Sequence, residues 1–219
     1  MNRMRSLLAR LRGNASGVAA LEFALTAPIV LTIFLSGAEL ANYTITKLRV
    51  SQIALHVADN GSRAGQDDAL SKKDLSEAEI NDLLIGANLQ AGTLDLQGRG
   101  RVIVSSLEPM ASPNSTKFYV HWQRCFGNKV WPSSYGDQGA NMLTYFGPPS
   151  KQVTSVPPTG AVVYVEVAYD YKPLISARLV PTTVLKDVAA MVVRDDRDFN
   201  GNGGTGVYNN EHVTASTCS

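Results

Sequence analysis

The chain has 219 residues with 20 basic and 19 acidic side chains, a formal net charge of +1 and two cysteines. So even a balance offers no field to gather nucleic-acid phosphates, and two cysteines are too few for a disulfide-built scaffold. The length allows one domain with its own core beyond a shorter accessory segment, and no internal repeat divides it further.

The first 17 residues hold Arg3, Arg5, Arg10 and Arg12 and no acid. Val18 to Ala38 then form an apolar run whose only charge is Glu22. As a helix rising about 1.5 Å per residue, this run covers about 31 Å, close to the hydrocarbon thickness of a bilayer. Pro28 is expected to kink it, since proline removes a donor and crowds the carbonyl of Ala24. Arginines on one side place the N-terminus in the cytoplasm and the remainder of the chain outside. A carboxylate costs about 2.5 to 3.5 kcal/mol at mid-bilayer, so Glu22 needs a reason to be there. One reason is its place near the helix start, within reach of headgroups and of the positive end of the helix dipole. The other is spacing. A cut after Gly17 would make Val18 the new N-terminus and Glu22 the fifth residue, with Phe23 following it.

The basic leader, Gly17, four mostly apolar residues, Glu22-Phe23 and a membrane helix resemble the prepilin-peptidase site of type IV pilins, in the form used by the Flp branch. The run from Gly17 to Val50, with Glu39 at its exit, is similar to the TadE-like family of tight-adherence pilus assembly proteins, or minor pseudopilins. The resemblance covers roughly the first 50 residues, and Phe23 stands where major Flp pilins usually carry Tyr. It implies removal of the leader by a prepilin peptidase, an inner-membrane helix and a periplasmic remainder. It also implies partnership with other pilin or pseudopilin subunits and the inner-membrane assembly machinery. Glu22 would then pair with the Val18 ammonium of a neighbouring subunit. Removing the leader's four arginines takes the net charge from +1 to −3. Two alternatives stand beside this reading. Ser36-Gly37-Ala38 has the small-x-small form of a signal-peptidase site, which would release a secreted enzyme beginning at Glu39; the apolar core exceeds the usual length of about 7 to 15 residues and contains an acid, which favours retention. The second is a membrane-tethered binding module, or pilus-tip adhesin.

Beyond the apolar run, Glu39 to Gly65 lacks proline and keeps a helical spacing of Leu40, Tyr43, Leu48, Ile53, Val57 and Ala58, so the helix continues, with Asn60-Gly61 offering its end. After the polar stretch 66–74, Ser76 and Glu79 have capping-box spacing and Ile80, Leu83, Leu84 and Ala87 share one side before Gly92. The period then becomes alternating. Residues 101–107, 117–125, 161–171 and 183–193 read as four strands, the first two pairing as neighbours. Along the third, Val163, Val165, Val167, Tyr169 and Tyr171 face one way and Glu166 and Asp170 the other, which predicts one buried face. The expected fold is α+β and pilin-like: leader 1–17, membrane-spanning helix 18–41, and a periplasmic domain 42–219 in which the helix continues onto an antiparallel sheet of about four strands.

Residues 127–160 sustain no period, and so long an irregular segment is commonly functional. Trp131, Tyr135, Tyr145 and Phe146 read either as partner contacts or as the segment's own packing. Cys125 and Cys218, in an oxidising periplasm, are most simply one disulfide stapling the tail to the sheet, with two free thiols as the alternative. TadE-type relatives with W-x-R-C and a terminal Cys are similar at Trp122, Arg124 and Cys125. Asp196, Asp198, Asn200 and Gly201 open like a calcium loop, but Val207 sits where an EF-hand needs Glu, so a turn is expected and no metal. His56, His121 and His212 are scattered, and neither a nucleophile elbow nor a phosphate loop occurs, so no catalytic residue and no cofactor are expected.

Overall fold

The computed structural model describes residues 16–65 and 72–218. The leader arginines, and most of the polar stretch 66–74, lie outside the described residues. Helix α1 spans Ser16–Arg63 and contains Pro28 without interruption. The chain divides into two compact units: one takes α1 up to Tyr43 together with Pro173–Pro181, and the other comprises Thr44–Lys172 and Thr182–Ser219.

In the second unit, α1 buries Val50, Ile53, Ala54, Val57 and Ala58, a helical stripe of three- and four-residue steps. The helix ends at Arg63 rather than at Asn60-Gly61. Gly61 serves a different purpose, because a Cβ there would stand 3.1 Å from Val163 Cγ1 and 3.3 Å from Leu83 Cδ2. Its missing side chain lets α1 approach the sheet and its neighbouring helix. The carbonyls left open at the end of α1 are met by Arg197, which donates to Gly61 O at 3.1 Å and to Ala64 O.

Helix α2, Glu77–Ala91, begins with the expected capping box: Ser76 Oγ accepts from Glu79 N at 3.2 Å, and Glu79 Oε2 accepts from Ser76 N at 2.9 Å. Gly92, at φ 60°, closes it. A single turn, α3 (Leu96–Arg99), leads into the sheet. A two-residue strand β1, Lys73–Asp74, precedes α2 and pairs in parallel with β6, Arg197–Asp198.

The main sheet has four antiparallel strands: β2 (Gly100–Pro109), β3 (Phe118–Phe126), β4 (Val162–Asp170) and β5 (Val184–Val192), in the order β3-β2-β4-β5. β2 and β3 pair as expected, with Leu107 opposite Val120. The expectation of one buried face is corrected, because β4 is buried on both. Val163, Val165 and Val167 occupy one face, while Tyr164, fully buried, and Glu166 occupy the other. The second cover is the segment 127–160. Its Phe146 packs edge-on against Tyr164 with ring centroids 4.8 Å apart, and Tyr135 meets both rings at 5.9 Å. Leu107, Phe118, Val120, Val153 and Val188 complete this core. Gly147, at φ 114°, is required where the segment crosses Tyr164, since a Cβ would lie 2.6 Å from the phenol oxygen.

On the other face of β2 and β3, Glu108 is the centre of a polar cluster. It accepts from Ser106 Oγ at 2.9 Å and Tyr119 OH at 3.2 Å, and pairs with His121 Nδ1 at 2.8 Å. His121 Nε2 meets Gly204 O at 3.0 Å, which ties the tail to the sheet. Both ring nitrogens face acceptors, so only the imidazolium can donate to both. The hydrogen bond to Glu108 raises the His121 pKa above its ordinary value, against the opposing effect of burial. A raised value in the folded state contributes stability that is complete below about pH 6.5 and is lost as pH rises through the folded pKa. His121→Gln should therefore be destabilised most on the acid side. Its unfolding midpoint should converge on that of the wild type as pH is raised through the folded pKa of His121, followed by circular dichroism in urea. A gap independent of pH would contradict this.

Candidate functional site

The first unit carries the feature that demands a partner. In α1, Phe23 and Phe34 are each 73% exposed, and Leu21, Leu25, Ile29 and Ile33 are exposed alike. The apolar stretch has a mean hydropathy of 2.2 and none of it is buried. A helix that is apolar around its circumference and unburied loses free energy at roughly 25 cal/mol for each Å² left in water. Lipid, or other helices, must cover it. This arrangement fits a single-pass membrane protein.

Gly17, Val18, Glu22 and Phe23 occupy the first exposed turns of this helix. Apart from its own helix, no described residue comes within 4 Å of where a Cβ on Gly17 would stand. Val18 and Glu22 are four residues apart and therefore on one face. The Glu22 backbone carbonyl accepts from Thr26 Oγ1 at 2.8 Å, while its exposed carboxylate makes no hydrogen bond with another described residue.

A second acid, Glu39, behaves in the opposite way. It is 0% exposed, and its carboxylate accepts from three successive backbone N–H groups: Leu174 at 3.3 Å, Ile175 at 2.6 Å and Ser176 at 3.4 Å. Successive N–H groups converging on one anion form a backbone nest, a favourable site for negative charge. The same segment is stiffened at Ser176, whose Oγ accepts from Arg178 N at 3.3 Å at the start of the short turn Ala177–Leu179. Sequence reasoning took Glu39 only as the exit of the apolar run. Its partners are backbone donors 135 to 137 positions away, and backbone N–H groups leave no mark on a sequence.

Cys125 and Cys218 are joined by a disulfide, with Cα atoms 4.9 Å apart. The tail is also held by Cys125 N donating to Ser216 O at 2.7 Å and by Asn81 Nδ2 donating to Thr214 O at 2.9 Å. Beside Cys125, Arg124 donates through Nε to Glu77 Oε2 at 2.8 Å and through Nη2 to Oε1, fixing the first turn of α2 to β3. In the tail, Asp198 is committed locally: Oδ1 accepts from Asn200 N at 2.8 Å and Oδ2 from Tyr208 OH at 2.6 Å. The Tyr208 hydrogen bond, with that of Asn200, holds its pKa below the usual carboxylate range. Among the described residues no cluster of His, Cys, Asp and Glu is arranged to hold a metal.

Segment 127–160 is anchored by Glu166, which accepts from Ser133 Oγ at 2.5 Å and Ser134 N at 3.0 Å. Burial raises its pKa, and these two hydrogen bonds work in the other direction. The adjoining recess, lined by Arg101, Trp131 and Lys186, is small, with a volume of about 30 Å³. Of the four aromatic residues singled out in this segment, Phe146 is buried, Trp131 and Tyr135 are half-buried, and Tyr145 is exposed.

The geometry thus defines a class: an α+β protein with one long, unburied apolar helix at its N-terminal side. Residues 17–59 match the family model described as TadE-like protein, about a fifth of the chain. The stretch on which the resemblance rests is therefore TadE-like, and the match points in general terms to tight-adherence pilus assembly. Neither curated proteins nor solved structures match the chain.

Glu39→Ala leaves the N–H groups at 174–176 without their acceptor. The expected loss is about 1 to 3 kcal/mol, the range for a buried group left unsatisfied. Glu39→Gln, which keeps one amide oxygen, should lose less. Thermal unfolding of the full chain in detergent measures both, and an unchanged midpoint for Glu39→Ala would show that the nest contributes nothing.

Proposed function

We propose that this chain is a membrane-anchored, pseudopilin-like subunit that helps assemble a Flp, or tight-adherence, pilus. The observation that carries the reading is an unburied apolar helix bearing Gly17-Val18 and Glu22-Phe23 at its exposed start, inside the TadE-like match. A prepilin peptidase cuts after Gly17. The helix then sits in the inner membrane with its N-terminal side at the cytoplasm, and the α+β domain lies in the periplasm. The role is structural rather than enzymatic, needs no cofactor, and brings the chain together with other pilin or pseudopilin subunits and the assembly machinery.

In this mechanism the new ammonium on Val18 meets Glu22 of a neighbouring subunit as their helices pack. Either charge alone is costly away from water, so the pair favours one axial stagger between helices over others. Retention of the helix is supported by its apolar core, which exceeds the about 7 to 15 residues usual for a signal peptide and contains the acid Glu22.

The N-terminal sequence and intact mass of protein from membranes of a host with the cognate peptidase should begin at Val18. An N-terminus at Met1 would remove the free-amine pairing, and one at Glu39 would remove the anchor. Glu22→Ala should leave membrane insertion and processing largely intact and reduce co-purification with pilus subunits about tenfold or more, as expected for losing over 1.4 kcal/mol of association free energy. Undiminished co-purification would count against the pairing.

A further inference from the structure

Within the first unit, the segment Pro173–Pro181 carries two adjacent aliphatic side chains in the open, Leu174 at 66% exposure and Ile175 at 45%. Single exposed aliphatics are ordinary on any protein surface. These two differ because the backbone that carries them is fixed to one level of α1: the N–H groups of Leu174, Ile175 and Ser176 all donate to the Glu39 carboxylate.

That level can be placed. From Val18 to Glu39 a helix rises about 32 Å, and the hydrocarbon layer is about 30 Å thick. With Val18 at one boundary of the hydrocarbon, Glu39 stands at the other, where α1 leaves the lipid. We propose that Pro173–Pro181 is a membrane-interface anchor, in which Leu174 and Ile175 enter the acyl boundary of the leaflet from which α1 emerges. The occupant of this surface is the bilayer itself.

Three features agree with that depth. The aliphatic pair gains from leaving water. The Glu39 carboxylate, which would be costly at such a boundary if unpaired, has its oxygens taken up by the segment's own N–H groups. Arg178, exposed two residues beyond Ser176, can lay its stem along the apolar zone and hold its guanidinium among lipid phosphates. Glu39 is thus a positioning residue for the anchor.

The inference rests on α1 spanning the membrane, so its test measures both. Full-length protein with its disulfide intact is reconstituted in phosphatidylcholine–phosphatidylglycerol vesicles, with a nitroxide on Leu174→Cys or, separately, on Ile33→Cys. Because Cys125 and Cys218 are oxidised, the label reaches only the introduced thiol. Collision with oxygen, which concentrates in lipid, is compared with collision with a water-soluble nickel chelate. The expected result is an oxygen preference at both positions, stronger at Ile33. Adding Glu39→Ala should lower the preference at position 174 severalfold and leave position 33 unchanged; no change at 174 would overturn the positioning role of Glu39. Oxygen preference at 33 with nickel preference at 174 would put the segment in water and overturn the anchor while sparing the spanning helix. Low collision with both reagents at 174 would indicate protein contact, such as a second copy, and would overturn it equally. Nickel preference at 33 would overturn the spanning helix and the anchor together.

Discussion

One helix of 48 residues has to satisfy two environments, and that constraint organises the chain. Up to about Ala38 it exposes apolar side chains on every side, which suits only lipid or other helices. From Val50 onward it buries a single stripe and leaves the opposite side polar or exposed, which suits a helix lying on a sheet. A sheet that receives such a stripe must present small and branched side chains close to the helix axis. Val163 does so, and Gly61 removes the Cβ that would hold it away. β2 and β3 pair across the short connection 110–117, whereas β4 joins the other edge of β2 although β3 and segment 127–160 separate them in sequence.

Covering both faces of a sheet carries a second requirement, because polar groups are trapped with the apolar ones. Several of the trapped charges among the described residues are matched. Arg124 meets Glu77 with two hydrogen bonds, Arg197 meets the final carbonyls of α1, and Glu166 meets Ser133 and Ser134. A buried ion pair such as Arg124–Glu77 adds little net stability compared with apolar residues of equal volume, but removing one partner costs about 3 to 5 kcal/mol. These contacts therefore act as register pins, allowing one arrangement of α2, tail and segment 127–160 and penalising others. The disulfide works differently. By closing a separation of 93 residues it restricts the unfolded chain, by about 4 to 5 kcal/mol in the loop-entropy description.

Periodicity made a large part of this legible. Strands read as 101–107, 117–125, 161–171 and 183–193 lie within one or two residues of their observed bounds at most ends, because alternation and branched side chains are local properties of the sequence. Ser76 and Glu79 showed the start of α2 for the same reason. The second buried face of β4 was hidden: Glu166 reads as a solvent-facing acid, and a serine hydroxyl 33 and an amide 32 positions away help make its burial tolerable. Gly61 was misread because glycine has two uses, ending a helix and permitting close approach, and sequence distinguishes them only when the opposing surface is known. Arg197 and Glu39 were missed for a common reason. Both bind backbone groups, which every residue carries.

The two acids of the apolar helix make the sharper contrast. Glu39 closes its hydrogen-bonding account within its own chain, through the N–H groups at 174–176. Glu22, 17 positions earlier, has no such partner among the described residues, although it lies in the part of α1 that water least favours. A carboxylate so placed, with no partner among the described residues, calls for headgroups or for a cation on a second helix. Headgroups can satisfy it at one depth alone, near the helix start, and they impose no order on neighbouring helices. A cation fixed to a second copy can satisfy it at the same depth and also sets the stagger between helices. Under the proposed cleavage after Gly17, the new ammonium on Val18 would be such a cation in every copy, on the helix face that carries Glu22. On that proposal Gly17 and Glu22 would be two parts of one device, and Glu39, matched within its own chain, would set the height of that device in the membrane.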